Sequence, residues 1–220
     1  MTGYLNTIFI VVVGVAINVL LTAMTAYALS RNDVMHRRPI ILFIIFTMYF
    51  GGGLIPFFLT VKGLGLNNNL FALILPGAIS VFNFLILRTS FESVPPSLEE
   101  SAKMDGANDF TILFRIFLPL MAPFIAVIAL YYGVAHWNAW FNALLFIQDR
   151  ELYPLQLILR EILLISQSNN SAAGDVITSD NSYETIKYAL IVVGTLPILM
   201  VYPFLQKYFV KGAMIGAVKG

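Results

Sequence analysis

Ser93-Val-Pro-Pro-Ser-Leu-Glu-Glu-Ser-Ala-Lys-Met-Asp-Gly-Ala-Asn-Asp-Phe110, continued through Thr111-Ile-Leu-Phe-Arg-Ile-Phe-Leu-Pro119, decides how the rest of the chain is read. It is a polar, helix-forming insert between two apolar runs, each long enough to cross a bilayer. Pro95-Pro96 stops the incoming helix. Ser97 followed three residues later by Glu100 has capping-box spacing and predicts a new helix at that point. Glu99 and Glu100 fall in its first turn, where the helix dipole favours carboxylates. Gly106 is suited to end it. Asn108 or Asp109 can cap a second short helix, Phe110 to Leu118. The local chemistry reads helix, glycine turn, helix, with Leu98, Ala102 and Ala107 forming a small-residue face suited to a groove. An ordinary capped interfacial helix carries the same local features.

The 220 residues are 59% hydrophobic and only 11% charged, with a mean hydropathy of +0.82. A soluble domain carries about 25% charge, so this composition indicates an integral membrane protein. A net charge of +1 gives no sign of a nucleic-acid partner. The absence of cysteine excludes disulfides, thiolate metal sites and cysteine nucleophiles. His36 and His136 are the two histidines; no catalytic set and no metal-ligand spacing is present. His36 reads as solvated in a basic loop, and His136, beside Trp137 and Asn138, as part of an interfacial anchor.

Five runs read as membrane helices: Leu5 to Leu29, Pro39 to Val61, Leu70 to Leu87, Leu118 to Trp140, and Ile186 to Phe204. They lack the period-two alternation of barrel strands, so the fold class is all-α and polytopic. Arg31, Arg37, Arg38, Arg88, Lys103, Arg115, Lys207, Lys211 and Lys219 lie on one side; Lys62, Arg150, Arg160 and Lys187 lie on the other. The positive-inside rule therefore puts the polar insert (about 88–117) and the C-terminus in the cytoplasm, and a segment of about 141–185 outside. Within that outer segment Tyr153 to Leu163 suits an amphipathic surface helix, and Ser166 to Ser182 a loop.

Glu100-Ser101-Ala102, then Gly106 after three residues, then Ile116-Phe117-Leu118-Pro119 after nine more, resemble the EAA loop of binding-protein-dependent ABC importer permeases. The family pattern is Glu-Ala-Ala, three residues, Gly, nine residues, Ile-x-Leu-Pro; Ser101 is the one departure. The resemblance implies a single permease domain over 1–220 with the type I importer fold, apparently lacking a first span. Relatives usually carry one more span upstream, so an N-terminally shortened form is expected. It also implies the carbohydrate-uptake class, similar to the second permease of maltose-type and complex-oligosaccharide importers, in the bacterial plasma membrane. The tail from Lys207 to Gly220 is similar to that class as well.

What such a permease does follows as expectation. Sugar or oligosaccharide moves inward by alternating access, with a second permease as heterodimer partner, an ATPase dimer inside and a substrate-binding protein outside. No G-x-x-x-x-G-K-[ST] occurs, so ATP and Mg belong to partner subunits, and this chain is expected to bind no cofactor and to be no enzyme itself. Coupling to the ATPase is expected at Glu99, Glu100, Ser101, Ala102, Asp105, Gly106, Ile116, Leu118 and Pro119. Asn83, Tyr131, Tyr132 and Asn138 are candidates for the sugar path, since amides and aromatic faces suit hydroxylated rings. Asn83 reads equally as interhelical glue. Gly51, Gly52, Gly53 and Pro56 break the second run and suit a hinge or a packing kink. An ion-coupled transporter would need intramembrane ionisable groups, of which His136 is the lone candidate. A non-transporting scaffold remains the other alternative.

Overall fold

Thr2–Ser30 forms one unbroken helix, α1, and everything else is arranged along it. The computed structural model describes residues 2–172 and 184–200, and every regular element among them is helical. After α1 come α2 (Arg37–Tyr49), α3 (Leu54–Gly63), α4 (Val81–Glu92), α5 (Pro96–Met104) and α6 (Asp109–Ile112). Then follow α7 (Leu118–Leu120), α8 (Ala122–Trp137), α9 (Phe141–Phe146) and α10 (Leu155–Ala172), and α11 over residues 184–200.

The buried face of α1 is made of Gly3, Thr7, Ile10, Gly14, Asn18, Thr22 and Ala26, three or four residues apart. Its exposed face carries Leu5, Val12 and Leu20. Small and polar residues inside with large apolar ones outside is the pattern expected where lipid is the solvent. α8 packs on that inner face as an antiparallel partner. Thr22 Oγ1 lies 2.7 Å from the Tyr132 hydroxyl, and Asn18 Nδ2 donates to His136 Nε2 at 2.8 Å. Gly14 permits the approach, since a Cβ there would sit 2.7 Å from His136 Nε2. His136 is thus an interhelical partner, 8% exposed, and not the interfacial anchor that its neighbours suggest.

Three of the expected spans are bent. The Pro39–Val61 run is two helices, α2 and α3, meeting at 115°. Gly51-Gly52-Gly53 lies in the break, and Gly53 takes a φ of 88°, which side chains disfavour. The Leu70–Leu87 run begins as two 3-10 turns, with Pro76 in the second, before α4 starts; the two parts meet at 50°. The Leu118–Trp140 run turns a corner of 86° at Met121. Pro119 lacks the N–H that an α-helix needs, and the chain accommodates it with a π-turn over Leu113–Phe117. Among the described residues one helix is long and apolar enough to cross, and up to four crossings result if each bent pair is one span. The fifth expected run, Ile186 to Phe204, extends past the described residues, as does the Lys207–Gly220 tail.

The two ends of α1 hold different parts. At about 1.5 Å per residue its 29 residues span roughly 43 Å. At the C-terminal end Tyr27, Phe91 and Phe117 pack edge to face, with ring centroids 6.4, 5.1 and 5.5 Å apart. That cluster joins α1 and α4 to the 93–119 segment. At the N-terminal end Asn6 donates to the carbonyls of Glu151 and Tyr153 at 2.7 and 3.2 Å. The N–H of Leu155 donates to Thr7 Oγ1 at 2.8 Å. α10 runs through Ala172, so the expected loop from Ser166 begins as helix; residues 173–182 lie outside the described ones.

Candidate functional site

The 93–119 segment folds as an elbow. α5 begins at Pro96, capped by Pro95 with no side-chain bond, so the Ser97 capping box does not form. Proline at the first helical position has its φ already set and its missing N–H costs nothing there, so the cap lies at Pro95, two residues before Ser97. The other end matches expectation. Gly106 has a φ of 80°, and its N–H donates to Lys103 O while the N–H of Ala107 donates to Ala102 O, both at 3.0 Å. Those two bonds are a Schellman closure. Asn108 then caps α6, accepting from the N–H of Thr111 at 2.8 Å. The second arm is α6, the π-turn and α7 in place of one regular Phe110–Leu118 helix.

The elbow has an inner and an outer face. Ala102 is 8% exposed and belongs to the same core as Tyr27, Phe91, Ile112 and Phe117. Ile116 and Leu118 pack against that core too. On the outside stand Leu98, Met104, Phe110 and Phe114, of which Met104 is 89% and Phe110 62% exposed. Ser101, Asp105, Gly106 and Pro119 are also exposed. Large apolar side chains stand beside polar ones on this outer face. The sequence reading did not single out the exposure of Met104 and Phe110.

The two adjacent carboxylates separate in role. Glu99 turns inward, 3.2 Å from Arg31 Nε and 2.7 Å from Lys103 Nζ. Glu100 is exposed, with no ion pair among the described residues. Arg31, just beyond α1, also binds Asp33 at 2.7 Å and pairs with Asp109 at the start of α6. One guanidinium thus ties α1 to both arms. Its hydrogen bond with Asp33, before all else, holds Arg31 more firmly protonated than usual, and the same bond holds the Asp33 carboxyl below its ordinary range. Arg88 and Arg37 share Glu92 nearby.

The candidate path residues are not gathered in one place. Tyr132 is 4% exposed, and its hydroxyl serves Thr22 and the Ser80 N–H, the latter at 2.8 Å. Asn83 is buried in α4, 4% exposed. Tyr131 is 45% exposed and stands beside Phe82, ring centroids 6.0 Å apart. Asn138 is exposed at the end of α8, its amide donating to Val134 O at 2.9 Å. Gly51, Gly52, Gly53 and Pro56 lie at the α2–α3 break described above. Among the described residues no group of three or more His, Asp or Glu could hold a metal ion.

Residues 9–214 match the family described as "Binding-protein-dependent transport system inner membrane component". The chain belongs to that family. It is 48% identical to the polygalacturonan/rhamnogalacturonan transport system permease protein YtcP of Bacillus subtilis (strain 168), over 98% of this chain and 76% of that one. It is 46% identical to protein LplC of the same organism, over 97% of this chain and 72% of that one. The crystal structure of a bacterial ABC transporter that imports the acidic polysaccharide alginate contains a similar chain. The TM-score is 0.84 at 40% identity, covering 94% of this chain and 74% of the other. The chain is a permease subunit of an ABC importer of the carbohydrate-uptake class, a multi-pass protein of the plasma membrane.

Proposed function

We propose that this permease passes an acidic oligosaccharide inward by alternating access, driven by a partner ATPase pair seated on the elbow. A second permease and an external binding protein complete the assembly, and the elbow and the C-terminus face the cytoplasm. The observation that carries the coupling role is the division of α5 into two faces. Ala102 fixes one in the core, while Ser97, Met104 and Glu100, which has no ion pair among the described residues, leave the other open to a partner. A push on that outer face reaches α1 through Arg31 and through the Tyr27–Phe91–Phe117 cluster. The acidic class is supported by the relatives: polygalacturonan and alginate are both polymers of uronic acids.

The chain has no native cysteine, so Ser101→Cys places a single probe on the elbow. In the assembled importer this probe should cross-link to the ATPase subunit, and substrate-loaded binding protein with ATP should change the yield. Labelling of that cysteine by an impermeant reagent from outside the cell would contradict the orientation and the coupling role together.

A further inference from the structure

We propose that a cleft between the outer end of α8, α10 and α11 is a subsite that reads the carboxylate of the transported sugar. It rests on the acidic-saccharide reading above and adds the place where the acid group is recognised. The cleft encloses about 650 Å³, within the range of roughly 300–1,000 Å³ typical of small-ligand sites. The charged side chains lining it are Arg160 and Lys187, both cations. It opens beside the segment held at the N-terminal end of α1, the end opposite the elbow.

Arg160 is the central group. Its guanidinium carbon lies 3.4 Å from the centroid of the Trp140 ring, so the planar fork rests on the indole face. Stacking occupies the face of a guanidinium and leaves its in-plane N–H donors free for a carboxylate. No carboxylate takes them among the described residues: the neighbouring Glu161 pairs with Arg150 at 3.4 Å instead. Lys187 has a loose partner in Glu184 at 3.8 Å, both about half exposed. A concave site with two cations, an aromatic-backed guanidinium and no lining acid among the described residues suits an anion, with Arg160 as its main partner.

The other lining groups specify what kind of anion. Gln156 and the Oδ1 of Asn138 offer hydrogen-bonding partners beyond what one acid group needs, and Thr195 Oγ1, whose proton goes to Ile191 O at 2.7 Å, can still accept. Leu159 and Ile191 supply apolar walls for the C–H faces of a sugar ring. A lipid phosphate would use the cations and leave those amides idle, whereas a uronic acid with its ring hydroxyls would use both.

The assembled importer in liposomes, with its binding protein, tests the site with trigalacturonate and its methyl-esterified, uncharged counterpart. Arg160→Gln should raise the half-saturating concentration for trigalacturonate about tenfold, the effect of losing one charge-assisted hydrogen bond. It should leave the ester unchanged, and Arg160→Lys should recover part of the loss. Equal effects on both sugars, or on neither, overturn the proposal. An Arg160→Gln effect seen only with phosphatidylglycerol in the liposomes, and absent in phosphatidylcholine alone, also overturns it, because a lipid headgroup is then the occupant. Wild-type importer that fails to take up trigalacturonate sinks the acidic-substrate reading itself. Tryptophan fluorescence of the purified complex, titrated with trigalacturonate, separates binding from turnover; quenching that survives Arg160→Gln places the acid elsewhere.

Discussion

Tyr132→Phe removes a single oxygen from the contact between α1 and α8. That oxygen takes the N–H of Ser80 at 2.8 Å and pairs with Thr22 Oγ1 at 2.7 Å. Thr22 can turn its hydroxyl to the carbonyl four residues back, so its loss is small. The Ser80 N–H has no such substitute; a fully buried unpaired donor costs about 1–3 kcal/mol, and this part-buried one falls at the lower end. Hydrogen bonds between membrane helices average about 0.6 kcal/mol and reach about 1.7, which puts the total near 1–2 kcal/mol. At roughly 2–4 °C per kcal/mol for a chain of this size, the apparent Tm in detergent should fall by roughly 2–8 °C. Transport KM should stay where it is. Tyr132→Ala, which also empties the space of a buried ring, should cost about 3–5 kcal/mol. A Tyr132→Phe protein that melts like wild type but shows an altered KM would refute the reasoning, since the hydroxyl would then face substrate and not the bundle.

The remaining expectations concern other joints. Gly14→Leu should separate α1 from α8, since even a Cβ there meets His136 at 2.7 Å, whereas Gly133→Ala makes ordinary contact with Val15 at 3.7 Å; detergent-resistant yield of folded protein distinguishes them. Gly106→Asp puts a side chain at a φ of 80°, at a cost of about 1–2 kcal/mol, and should lower substrate-stimulated ATP hydrolysis with membrane insertion intact. Arg31→Met should loosen both arms, read as faster proteolysis of the elbow and less uptake per ATP hydrolysed. Asp33 has its folded pKa lowered by Arg31. Its stabilising share is therefore present above the unfolded value of about 3.9 and vanishes as pH falls through the lower folded value. Acid melting curves should accordingly show a smaller loss across that window for Asp33→Asn than for wild type.

The elbow was legible because its punctuation is local. Pro95-Pro96, Gly106 and Asn108 act through their own backbone geometry, and three of the four features appear where the sequence puts them. The exception, Ser97, lost to Pro96, an equally local effect of the opposite kind. The bends were only half legible. Gly51-Gly52-Gly53 announces a break, but the 115° angle depends on what the two arms pack against. Nothing in the sequence separates Glu99 from Glu100, because their difference is a contact with Arg31, 68 residues away in the chain. Asn18 is one of two amides, with Asn6, in the uncharged Leu5–Leu29 run, and its partner His136 could be assigned only once α1 and α8 lay side by side. Ala102 shows the same limit: a small residue on a helix suits a groove in another protein or a seat in its own, and spacing does not distinguish them.

The Asn18–His136 pair also sets an order of assembly. The two residues are 118 positions apart, and chains are synthesised at about 5–20 residues per second. For some seconds after α1 emerges from the ribosome, its amide therefore has no mate, and a nascent chain halted short of residue 136 would never supply one. α1 is in this sense a half-finished surface during biosynthesis, completed by a helix made much later, and quality control in the membrane has that interval in which to recognise it.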